Sequence, residues 1–156
     1  MSISHENFTI ERTIAAPPDR VFDLWSDTAK KRRWFVDSDG PEWTTLEYDV
    51  DFRVGGREHG RWRHKDGSEL ANETIFMDIV AGKRIVMAYA MMKDDVRLSA
   101  SLATVTFAAK GEATRMIFTE HGAFLDGNDD AASRRKGMEW LFDHLDKQFQ
   151  QSETTS

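Results

Sequence analysis

The sequence predicts an α+β fold: a curved antiparallel β-sheet wrapped around a long C-terminal α-helix, with two short helices after the first strand. Three patterns predict it. Apolar and polar residues alternate with a period of two near the start of the chain and again, segment after segment, from Trp43 to Glu120. Met138, Leu141, Phe142, Leu145 and Phe149 form one apolar stripe at helical spacing, opposite Asp143, Asp146, Lys147 and Gln150. The helical patterns stand at the two ends of the strand region, which indicates helices packed on one antiparallel sheet.

The elements follow in order. Phe8, Ile10, Arg12 and Ile14 alternate with Thr9, Glu11 and Thr13, a strand that Ala15-Ala16-Pro17-Pro18 ends. Pro18 suits a first helical turn, where its missing N–H is not needed. Val21, Phe22, Trp25 and Ala29 then share one helix face, and Ala29 to Phe35 forms a second short helix. Asp37-Ser38-Asp39-Gly40-Pro41 is a turn. Strands are expected over Trp43–Val54, broken at Gly55-Gly56, then over Arg57–His64, Glu69–Ile79, Lys83–Met92, Arg97–Ala108 and Thr114–Glu120. Asp66-Gly67 is a hairpin signal between the second and third of these. His121–Asp129 reads as a loop in which Asn128 or Asp129 caps a helix from about Asp130 to Phe149, with a frayed tail over Gln150–Ser156.

A chain of 156 residues fits one domain, with its core over about residues 8–149. The chain has no Cys, which excludes disulfides, thiolate metal sites and Cys nucleophiles. The N-terminal residues lack a basic stretch followed by an apolar one, so no signal peptide is expected. The longest apolar run, Ile85–Met92, is far short of the ~20 residues of a membrane helix. A cytoplasmic protein that does not bind membranes is the expectation. A net charge of −6 disfavours nucleic acid as a partner. The basic runs Lys30-Lys31-Arg32-Arg33 and Arg134-Arg135-Lys136 read as solvated helix faces, and Arg61-Trp62-Arg63 as a strand with one buried Trp. No metal site is expected: the five His form no metal-binding spacing, and Asp126, Asn128, Asp129 and Asp130 lack the calcium-loop pattern. No cofactor is implied.

A strongly curved sheet is not filled by one helix, and the space left over is the usual form of a small-molecule pocket. Ile85, Met87, Tyr89 and Met91 are the bulky parity of the most apolar strand, with Phe76, Val105, Phe107, Met116 and Phe118 as companions. From periodicity alone, a solid core is the simpler reading of these residues. The other parity of Ile85–Met92 is also apolar, so a homodimer covering it is one expectation.

Four stretches bring a family into view: RTIAAPPDRVFDLWSDTAKKRRWF (12–35), DFRVGGRE (51–58), IFMDIVAGKRIVMAY (75–89), and the run from SLATVTF to WLFDHL (101–145). The chain resembles the SRPBCC superfamily (START and Bet v 1-like), and within it the bacterial single-domain homologues of the activator of heat-shock protein 90 ATPase. The resemblance spans about Phe8 to Phe149 and implies the helix-grip fold with a real cavity. That superfamily includes lipid carriers, hormone receptors, polyketide cyclases and co-chaperones, so the fold alone does not name an activity.

The first expectation is a binding module for a small apolar or amphipathic molecule. Trp34, Phe76, Tyr89, Met91, Phe118, Met138 and Leu141 would line its pocket, with Glu120 as the polar orienter. Glu120 ends a strand on the face of Met116 and Phe118, where it could serve as acid or base or bond the following loop. The second reading is a cyclase or hydratase using that acid; no nucleophile motif accompanies it. The third is a protein-binding co-chaperone, although the eukaryotic activators carry a further N-terminal domain without a counterpart here. Gly137, inside the last helix, costs about 1 kcal/mol relative to Ala and so points to close packing or to room for a ligand.

Overall fold

The structure, a computed structural model, describes residues 1–37 and 40–154, and for residues 40 and 150–154 the backbone alone. Strand β1 (Ile3–Ile14) leads into two short helices, α1 (Pro18–Ser26) and α2 (Thr28–Lys31). Six strands follow: β2 (Trp43–Val50), β3 (Arg57–His64), β4 (Glu69–Val80), β5 (Arg84–Lys93), β6 (Val96–Lys110) and β7 (Ala113–Leu125). The chain returns as α3 (Ala131–Thr154). All seven strands form one antiparallel sheet in the order β1-β7-β6-β5-β4-β3-β2. This is the α+β helix-grip arrangement expected from the sequence.

Register shifts at Thr45/Glu47, Phe76/Asp78 and Met91/Met92 bend the sheet, since an extra residue on one strand sharpens its local twist. The stripe of α3 packs into the resulting concavity. Phe142 and Leu145 are fully buried, and the Phe142 ring lies 5.4 Å from Phe118 and 6.0 Å from Trp25. Arg12, on the inward parity of β1, ties that edge to the helix: its guanidinium donates to Asp143 Oδ1 at 2.8 Å and to the Glu139 carbonyl at 3.2 Å.

The structure differs from the sequence reading at four places. The loop expected at His121–Asp129 is mostly strand: β7 continues to Leu125, paired with β1 back to Ile3. Gly122, which reads as a loop signal, marks a close approach instead. A Cβ there would stand 2.8 Å from the Phe124 ring and 2.9 Å from Ser101 Oγ. Asp130, rather than Asn128 or Asp129, caps α3, its Oδ1 accepting the Ser133 N–H at 2.7 Å. The helix expected to end at Phe149 runs to Thr154. Finally, α2 stops at Lys31 and continues as a π-helical turn, Arg32–Val36, closed by Asp37 N–H to the Arg32 carbonyl. Trp34 and Val36 both lie inside on this wider turn. Ser38 and Asp39 of the expected turn lie outside the described residues.

Among the described residues no helix is long and apolar enough to cross a membrane. On the sheet's outer face, His59 of β3 bonds Glu73 on β4 at 2.6 Å and Glu47 on β2 at 2.8 Å. Glu47 also faces Arg61 at 3.5 Å. Partial burial alone would lower the His59 pKa, but the bonds to Glu47 and Glu73 outweigh it and hold it above its ordinary value. A raised folded-state pKa means that the stabilisation is complete below the unfolded pKa of about 6.5 and is lost as pH rises through the folded value. The difference in stability between wild type and His59→Gln is therefore expected to shrink as pH rises from 6.5 through the folded pKa of His59. Urea titrations at several pH values measure it, and a difference independent of pH would refute it.

Candidate functional site

Between α3, the α2 turn and the inner face of β2–β7 lies a cavity of about 390 Å³. Trp25, Phe35, Trp62, Met87, Leu98 and Phe118 supply much of its apolar wall. Ser133, Gly137 and Trp140 line it and are also exposed, so the cavity opens along one stripe of α3. A Cβ on Gly137 would meet nothing within 4 Å, so this glycine leaves open space at the mouth rather than a close helix–sheet contact.

The expected pocket residues divide. Tyr89, Met91, Phe118, Met138 and Leu141 line the cavity; Trp34, Phe76 and Glu120 do not. Trp34 turns into the core, its Nε1–H donating to the Leu24 carbonyl at 2.7 Å and its ring packed on Trp25. Phe76 is held 5.0 Å from Phe52, in the core beside the register shift. Glu120 is fully buried behind the wall. It bonds neither the following loop nor the cavity. Tyr89 donates to its Oε1 at 2.5 Å, while Ser101, at 2.8 Å, and Arg134, at 3.1 Å, donate to its Oε2.

Both basic runs contain a residue that is not solvated. Arg134 donates to Tyr89, Glu120, Ser99 and Asp129 at 2.7–3.1 Å. Its burial works against the charged form, but the Tyr89 hydroxyl, Glu120 and Asp129 more than offset this and raise its pKa. Lys31, 2% exposed, is paired with Glu58, which also accepts from Tyr48 Oη at 2.9 Å and from Asn72 Nδ2 at 3.2 Å. Burial, together with the neighbouring carboxylate, raises the pKa of both phenols, Tyr48 and Tyr89, so each remains a donor. Lys31, Glu58, Arg134 and Asp129 all reach the cavity wall.

These groups are ordered by the sheet register. Glu58, Thr74, Tyr89 and Ser101 are successive cross-strand partners on β3, β4, β5 and β6, all on the inner face. A polar row therefore crosses a largely apolar concavity, with a buried cation from the helical layer near each end. Glu58 and Tyr89 stand two strands apart, about 10 Å. The signals were present in the sequence. Glu58 shares its parity with Gly60 and Trp62, so a buried carboxylate in need of a cation was implied. Arg134 falls on the stripe of Met138, Leu141 and Leu145 at i, i+4, i+7 and i+11.

Three buried polar atoms lack a partner among the described residues: Trp25 Nε1, Trp62 Nε1 and Asn72 Oδ1, all on cavity-lining residues. Gly60 permits the crowding there, because a Cβ would stand 2.2 Å from the Trp62 ring and 2.7 Å from Asn72 Oδ1. No cluster of three or more His, Asp or Glu able to hold a metal occurs among the described residues.

The family model described as "Activator of Hsp90 ATPase homolog 1-like protein" matches residues 15–150. The chain belongs to this family. No curated protein matches it. Among solved structures, this member of the Activator of Hsp90 ATPase homolog 1-like family is similar to the Mll3558 protein of Rhizobium loti, at 44% identity and a TM-score of 0.87, over 94% of this chain and 99% of that one. A protein from Rhizobium leguminosarum is similar at 42% identity and a TM-score of 0.87, over 93% and 94% of the two chains. A protein named as AHSA1-like from Aeromonas hydrophila shares the fold at 22% identity and a TM-score of 0.70, over 95% and 94%. The resemblance read from the sequence is borne out at the level of family and fold.

Proposed function

We propose that this family member binds a small amphipathic molecule in the cavity between α3 and the sheet. The volume of that cavity carries the reading. Protein interiors hold few voids larger than a water molecule, whereas ligand pockets run from about 300 to 1,000 Å³. Open space of this size, kept open at Gly137, supports a binding role over imperfect packing. The placement of Glu120 supports binding over acid–base chemistry at that residue, since both of its oxygens are engaged and it does not reach the cavity.

Met138→Trp tests the reading. The larger ring is expected to occupy the cavity, abolish uptake of 2-ethylnaphthalene seen by native mass spectrometry, and preserve or raise Tm. Undiminished uptake in a folded variant would contradict the site, and loss of folding would indicate a solid core around Met138.

A further inference from the structure

The two buried cations on the cavity wall are satisfied to different degrees. A guanidinium has five N–H donors, and Arg134 makes four hydrogen bonds with them. An ammonium has three, and among the described residues Lys31 makes one, to Glu58. Three rings also face it: Phe35 at 4.8 Å, Trp25 at 5.7 Å and Phe76 at 5.9 Å from ring centroid to Nζ. Aromatic faces attract the charge but do not replace an oxygen acceptor. Thr74 stands on the same part of the wall. It accepts only a long contact from Asn72 Nδ2 at 3.4 Å, and its own O–H has no acceptor among the described residues.

The cavity wall is therefore polar around Lys31, Glu58, Asn72 and Thr74 and apolar along Met138, Leu141 and Trp140. Charge narrows the class of occupant. Glu58 already neutralises Lys31, so a carboxylate or sulfonate bound there would be a second buried anion facing a single ammonium. An uncharged oxygen would take a charge-assisted hydrogen bond without that penalty. Resting on the ligand-binding reading above, we infer that the cavity takes an uncharged amphipathic molecule whose carbonyl or ether oxygen accepts a hydrogen bond from Lys31, with its apolar body directed towards Met138 and Trp140.

Three probes of nearly equal size test this by equilibrium dialysis: 2-acetylnaphthalene, 2-ethylnaphthalene and 2-naphthoate. The ketone is expected to bind wild type at least about tenfold more tightly than the hydrocarbon, the ratio for one hydrogen bond to a charged group. The carboxylate is expected to bind no more tightly than the hydrocarbon. In Lys31→Met/Glu58→Gln, which removes both charges together, the preference for the ketone should vanish while the hydrocarbon still binds. A second measurement needs no variant: the carbonyl stretch of wild-type-bound 2-acetylnaphthalene should lie below its frequency in hexane. An unshifted carbonyl, equal binding of ketone and hydrocarbon, tightest binding of naphthoate, or a ketone preference that survives in the double variant would overturn the Lys31 assignment and leave the cavity reading standing. Failure of all three probes to bind wild type would overturn both.

Discussion

Arg134→Met is expected to destabilise the protein by about 3–5 kcal/mol, because it strands the buried carboxylate of Glu120. Four hydrogen bonds disappear, to Tyr89, Glu120, Ser99 and Asp129. Tyr89 and Ser101 still donate to Glu120, but neither carries a charge. For a domain of this size such a loss corresponds to a Tm lower on the order of 10 °C. Combining it with Glu120→Gln, which removes the stranded charge, should recover a large part of the deficit. Urea denaturation of the three variants decides it. A single variant as stable as wild type would mean that Arg134 does not hold the Glu120 charge in the fold.

Lys31→Met should cost a similar amount, about 3–5 kcal/mol, for the same reason at the other end of the polar row. Glu58 is 2% exposed and would keep only the uncharged donors Tyr48 and Asn72. The apolar stem of a Met suits the cage of Phe35, Trp25 and Phe76, so Lys31→Met/Glu58→Gln should be markedly more stable than Lys31→Met alone. Replacing a buried ion pair by neutral groups of similar volume is often neutral or stabilising, while removing one partner is not. If the double variant were no more stable than Lys31→Met, the cost would lie in lost packing rather than in an unpaired charge.

The strands, the short helices and the apolar stripe of α3 were legible because each is written locally, in a period of two or 3.6. The end of β7 was not. Gly122 has two meanings, turn and close approach, and only Phe124 and Ser101 pressing on it decide between them. The apolar walls of the cavity could be named in part, since parity puts Tyr89, Met91 and Phe118 on the inner face. Whether an inward residue reaches the cavity or the solid core depends on sheet bending: Phe76 lies beside a register shift and joins the core. The polar row was overlooked because its charges come from separate elements. Lys31 and Glu58 are 27 positions apart, and Arg134 and Glu120 are 14 apart. Each looks solvated until its partner is brought opposite. A Glu on an apolar strand parity, such as Glu58 or Glu120, was nonetheless a signal that some cation must be buried with it.

The most direct measurement is a methyl NMR titration of methionine-labelled protein with 2-acetylnaphthalene. Met87, Met91 and Met138 line the cavity, whereas Met1 and Met77 are exposed elsewhere. A ligand site between α3 and the sheet requires saturable shifts at the first three methyl groups and none at the other two. No saturable change at Met87, Met91 and Met138 up to the solubility limit of the probe, or changes confined to Met1 and Met77, would contradict it.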